Sequence, residues 1–162
     1  MKKTLIALCM LFVATFTVQA QEDEAEKQAL AMEMASIELN MEVDTELFQK
    51  MSTNMYVSQT PQVMIMGMVV PETYENAKTK LEGNLPPEFK VSDKGEKTMN
   101  GVKVVFLKGT SDSPQGVIDC VVYCTKRDAE TCTMFMGMSE VGVDQKYVDA
   151  INKAANSVIK KK

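Results

Sequence analysis

Two adjacent residues, Asn100 and Gly101, constrain the fold of this chain more than any other feature. Both tolerate positive φ, which a two-residue turn needs if its twist is to suit the strands on either side. Phe89 to Met99 and Val102 to Lys108 flank the turn and have strand character, so an antiparallel hairpin is expected here. Thr110 to Gly116, reading TSDSPQG, looks like a loop. Val117 to Thr125 and Thr131 to Met138 read as further strands, joined by a turn over Lys126 to Glu130.

Upstream, Val63 to Val70 is apolar at every position but one and ends at Pro71, as a strand covered on both faces would. The spacing of Tyr74, Ala77 and Leu81 predicts a helix over Glu72 to Glu82, closed by Gly83 and Asn84, with Pro86 and Pro87 in a rigid turn. Asp144 is placed to cap a last helix in which Tyr147, Val148, Ile151, Ala154, Ala155 and Val158 share one stripe. The N-terminal part is less regular. Ala29 to Met34 can be helical, whereas Ile37, Leu39, Met41 and Val43 alternate with polar residues at the period of a half-buried strand. Asp44 or Thr45 could start a short helix holding Leu47, Phe48 and Met51, and Met55 to Val57 reads as extended. The order of elements implies an α+β domain with helices packed mainly against one layer of the sheet.

The first 20 residues carry a different signal. Lys2 and Lys3 precede an apolar run from Leu5 to Phe16, and Val18 and Ala20 stand at the small-residue positions before a cut. That is the layout of a bacterial secretory signal, and the run is shorter than the roughly 20 residues that span a bilayer. The expectation is export to the periplasm or the exterior, with no transmembrane anchor after cleavage. Leu8 before Cys9 argues against lipid attachment at that cysteine. Of 162 residues, about 142 then remain as residues 21–162, enough for one domain, with 21–35 as a mobile or helical lead-in.

Cleavage takes two of the 18 basic residues and none of the 22 acidic ones, moving the net charge from −4 to about −6. With one arginine, Arg127, and no basic stripe, nucleic acid is not an expected partner. Lys160, Lys161 and Lys162 complement a helix C-terminus. The chain has no histidine, which removes imidazole-based proton transfer, Ser-His-Asp and Cys-His nucleophiles and imidazole-containing zinc sites. Acidic neighbours such as Glu72 with Glu75, or Asp112 between Ser111 and Ser113, are accounted for as helix-start and loop residues. No catalytic residue, cofactor or metal site is assigned.

Sulfur is the remaining chemistry. Beyond the signal stand Cys120, Cys124 and Cys132. A hairpin centred on Asp128 would put Cys124 opposite Cys132 at a separation compatible with a disulfide, leaving Cys120 as a free thiol on the same strand face. Met64, Met66 and Met68 project to one face of their strand, as do Met134, Met136 and Met138. The two sets either fill a core or form a soft thioether surface for an apolar ligand or reduced copper.

The segments VMIMGMVVPETYENAKTKLEG, FKVSDKGEKTMNGVKVVFLKGT, VIDCVVYC, TCTMFMGM and INKAANSVIK together resemble the PsbP-like superfamily over roughly residues 55–160. Ser157 matches a similarly placed serine in many such proteins, where a packing role is expected. The missing tryptophan, the methionine-rich strands and the first mature segment depart from that pattern. The resemblance implies an α/β/α sandwich with a central, mainly antiparallel sheet, in accessory or binding modules with no common catalytic residues. The combined expectation is an exported, non-enzymatic accessory domain that engages a protein partner. The alternatives are a small-ligand or reduced-copper binding module and a thiol-redox protein.

Overall fold

The computed structural model describes residues 24–83, 85–114 and 116–161; the expected signal segment and Asn84 lie outside them. In chain order the elements are α1 (Glu24–Ala35), β1 (Gln49–Ser52), β2 (Met55–Gln59), β3 (Gln62–Val70), α2 (Tyr74–Gly83), β4 (Phe89–Met99), β5 (Val102–Ser113), β6 (Gly116–Lys126), β7 (Cys132–Glu140) and α3 (Gln145–Val158). The seven strands form one antiparallel sheet in the order β1-β2-β3-β7-β6-β5-β4. The fold is α+β, with helices on both sides of the sheet.

Side-chain alternation divides the core into two layers. On one face, here called the front, α2 contributes Ala77 and Leu81 over Val105, Leu107, Val122 and Cys124. On the back, α3 sets Tyr147, Ala150, Ile151, Ala154 and Ala155 against Val63, Ile65, Phe135 and Tyr123. The expectation of helices mainly on one layer is thus corrected. A strand such as β3, apolar at almost every position, needs cover on both faces, and the two amphipathic helices supply it from opposite sides.

The Asn100-Gly101 turn has φ of 49° and 77°, and β4 pairs β5 from Met99↔Val102 outward. The strands run further than expected. β5 extends to Ser113 through most of the presumed loop, because Ser111 is buried opposite Phe89 and Ser113 still faces Gly116 across the hairpin. Residues 37–43 show the expected alternation, yet they are not a strand. Ile37, Leu39, Met41 and Val43 are half-buried and their neighbours exposed, while the backbone crosses the back of the sheet instead of joining an edge. Leu39 N donates to Asn54 Oδ1 at 2.9 Å, and Glu42 N donates to Ser157 Oγ at 2.8 Å. Ser157 also donates to Ala154 O, so this serine fastens the crossing segment to α3. Asp44 caps only one turn, accepting from Glu46 N at 2.9 Å, before β1 begins.

The helix ends follow from local chemistry. Asp144 caps α3 by accepting from Lys146 N at 3.1 Å. At the other end Asn100 Nδ2 reaches the carbonyls of Asn156 and Ile159 at 3.0 and 2.8 Å, so the hairpin turn also caps the last helix. No helix among the described residues is long and apolar enough to cross a membrane.

Candidate functional site

The six candidate methionines lie side by side on the front face. Strand register pairs Met64 with Met138, Met66 with Met136 and Met68 with Met134. On β6 the same rows continue into Cys120, Val122 and Cys124. Five of the six methionines are buried and Met68 is partly so, hence this layer is interior packing and not an accessible thioether surface. Unbranched side chains fill such a layer well, at about 1.5–3 kcal/mol of burial each.

The cysteines do not take the expected register. Cys124 faces Met134, and Cys132 faces Lys126. The cause is the turn: Arg127 N and Asp128 N both donate to Thr131 O, and Asp128 accepts from Glu130 N, Thr131 N and Thr131 Oγ1. These bonds hold the Asp128 carboxyl below its ordinary range, led by the Thr131 hydroxyl. A turn closed in this way ends the ladder at Lys126↔Cys132 and makes Cys124 and Cys132 diagonal neighbours. Diagonal Cα atoms stand roughly 7–8 Å apart in a sheet, beyond ordinary disulfide geometry. Cys120, Cys124 and Cys132 are all buried, and none of them forms a disulfide. Interaction with Cys132 and burial push the Cys124 thiol up, and the same interaction draws Cys132 down.

A polar cluster ties α2 to the front of β4 and β5. Glu96 accepts from Lys103 Nζ at 2.8 Å, Lys78 Nζ at 2.9 Å and Tyr74 OH at 3.0 Å. Led by Lys103, these donors hold the Glu96 carboxyl at about 2 against an ordinary 4.5. Burial and the Glu96 acceptor keep Tyr74 protonated well above its usual range. A carboxyl depressed in the folded state contributes stability above its unfolded pKa and loses it as pH falls through the folded one. We therefore expect the urea midpoint of the native protein to exceed that of Glu96→Gln at pH 7, with the difference closing between about pH 4.5 and 2. A difference that stays constant over that range would remove the cluster as a docking clamp.

The concave feature is on the back. Helix α3 packs on β7 and β3, and beyond it toward β4 the sheet face opens into a groove of about 290 Å³. Its walls include Val148, Ile151 and Asn152 of α3, and its floor includes Lys108, Asp119, Val121 and Tyr123. Lys97 on β4 bends over this floor, its Nζ 4.6 Å from the Tyr123 ring centre and 5.1 Å from that of Phe106. The ammonium also approaches Tyr123 OH at 3.5 Å. Such a cation over two rings is worth about 0.5–2 kcal/mol. Burial raises the Tyr123 pKa and nearby Lys108 opposes the rise, so the phenol stays a donor in the groove. Among the described residues neither Lys97 nor Lys108 has a carboxylate at ion-pair distance. Val117 and Val141, both exposed, sit together at one end of this face, where Val141 N donates to Val117 O.

The arrangement can bind, since Val121, Val148 and Ile151 offer apolar contact between the separated polar groups of Lys108, Asp119, Tyr123 and Asn152. Sequence reasoning names three of its lining residues, Val148 and Ile151 as part of a helix stripe and Cys120 as a thiol candidate, but none of them as part of a groove. The two-residue turn nevertheless sets the register, and so places Lys97 opposite the wholly buried Val104. A lysine facing inward from an edge strand was the available signal.

No family model matches the chain, and no curated protein matches its sequence. Solved structures share the fold. LpqN of Mycobacterium tuberculosis, described as involved in cell envelope biogenesis, aligns over 74% of this chain and 79% of its own, with 12% identity and a TM-score of 0.50. PA94 of Pseudomonas aeruginosa, a protein of unknown function, aligns over 78% of this chain and 99% of its own, with 10% identity and a TM-score of 0.53.

Proposed function

We propose that this chain is an exported, non-enzymatic accessory domain that holds a protein partner in the groove between α3 and β4. The observation that carries the reading is the uncovered stretch of the back face. Beyond α3, Phe106 and Val121 stay partly exposed beside Lys97 and Lys108, for which the described residues offer no carboxylate at ion-pair distance. A groove with an apolar floor and a few placed polar groups is a recognition surface. It belongs to a chain whose 22 acidic residues otherwise exceed its 18 basic ones.

The secretory layout of residues 1–20 supports export to the periplasm or exterior. The PsbP-like resemblance supports an accessory role, as does the shared fold of an envelope-biogenesis protein such as LpqN. Both edges of the sheet oppose simple strand addition. β1 has four residues and an irregular register, and β4 carries a bulge and several lysines. The partner therefore meets the face of the sheet.

The test is native mass spectrometry of the protein isolated from its exported fraction, with Lys108→Glu and the front-surface variant Thr79→Glu prepared in parallel. A complex of defined mass, kept by Thr79→Glu and lost by Lys108→Glu, is the expected result. Equal retention by both variants would rule out the groove as the docking site.

A further inference from the structure

The turn that joins β4 to β5 carries a chemical liability as well as a structural role. Asn100 is followed by Gly101, whereas every other asparagine of the chain precedes a residue with a side chain. Glycine has no Cβ to shield its main-chain nitrogen from the carboxamide before it. Both residues are exposed to water. The carboxamide is held against the end of α3, where Nδ2 donates to Asn156 O at 3.0 Å, Asn156 Oδ1 at 3.2 Å and Ile159 O at 2.8 Å. We propose that Asn100 is a spontaneous deamidation site gated by the fold, kept intact by its bonds to α3 and converted to aspartate or isoaspartate when the end of that helix lets go.

The only co-reactant is water. After giving up its proton to solvent, the Gly101 nitrogen attacks Asn100 Cγ; the Cγ–Nδ2 bond breaks, and ammonia leaves with a proton taken back from solvent. Water then opens the cyclic imide at either carbonyl, giving aspartate or isoaspartate with no change of oxidation state. Attack requires the carboxamide to turn toward Gly101, which its three acceptors on α3 oppose. Release therefore follows local opening of the last helical turn. The product cannot restore the cap, because a carboxylate has no hydrogen to donate and would face three oxygens at the negative end of a helix. Isoaspartate also routes the main chain through the side-chain carbon, lengthening a turn whose flanking pair is Met99↔Val102. This chemistry is independent of partner docking in the groove.

The experiment incubates the native protein at mildly alkaline pH, in buffer and in urea above its unfolding midpoint, and follows the tryptic peptide of residues 98–103 by mass spectrometry. Conversion at Asn100 is expected to be at least about tenfold faster in urea, since modification through an opened state follows the population of that state. Two variants then locate the gate. Ile159 is wholly buried at the end of α3, and Leu81 is buried on α2 across the sheet. Compared at urea concentrations that leave both equally stable, Ile159→Ala is expected to convert at least about threefold faster than Leu81→Ala, because it loosens the cap itself. The comparison of urea with buffer uses the native chain and needs neither variant to fold. No conversion in urea, equal rates in urea and buffer, or equal rates in the two matched variants would overturn the assignment.

Discussion

Gly137→Val should destabilise the domain by about 3 kcal/mol or more and lower its melting temperature by on the order of 10 °C. Gly137 lies on the back of β7 beneath α3, and a Cβ placed there would collide with Ile151 Cγ2 and come within 3.3 Å of Val121 Cγ1. Ile151 is buried against the sheet and the strand is central, so neither partner can withdraw cheaply. Gly67 on neighbouring β3 does the same for the crossing segment, since its Cβ would stand 2.9 Å from Leu39 Cδ1. Urea unfolding of Gly137→Ala, Ile151→Ala and the double variant isolates the contact. The double variant should be more stable than the sum of the single losses implies, because the smaller helix residue makes room for the added methyl. Simple additivity would mean that α3 does not rest on Gly137.

Asn100→Ala should cost about 2–4 kcal/mol, an unusually large loss for an exposed turn residue. The asparagine occupies positive φ and also donates to the carbonyls that end α3. Asn100→Gly keeps the turn and removes only the cap, with an expected loss of about 1–2 kcal/mol. Chemical denaturation of the three proteins reads the two contributions separately. Equal losses for Ala and Gly would show that the backbone conformation contributes nothing, and no loss for Gly would remove the cap.

These results bear on what was legible in the sequence. Asn100-Gly101 announced its hairpin because a two-residue turn is a local event with few chemical solutions. The second use of Asn100, at the end of a helix 56 residues away in sequence, depends on tertiary placement. The same divide runs through residues 37–43, where alternation predicted the burial pattern but not the absence of a ladder. Period two reports which side chains face the core, and a chain laid across a sheet at Gly67 obeys it as a strand does. Cys124 and Cys132 were assigned to the right face in the wrong rung, because the bonds to Asp128 and Thr131 that set the turn are not a matter of strand periodicity. Helix stripes showed that α2 and α3 are amphipathic but not that they bury opposite faces of the sheet. The groove followed from that arrangement and from Lys97 above Tyr123 and Phe106, neither of which any local motif encodes.

Site-specific photo-crosslinking in cells producing the full chain tests the docking claim most directly. One photoreactive residue replaces Asn152, exposed on α3 at the groove wall, and in a second strain another replaces Thr79, exposed on α2 across the sheet. Partner docking on the back face predicts a single discrete adduct from position 152 that disappears when Lys108→Glu is added, and none from position 79. An adduct from position 79 alone, or one from 152 that survives Lys108→Glu unchanged, would contradict it.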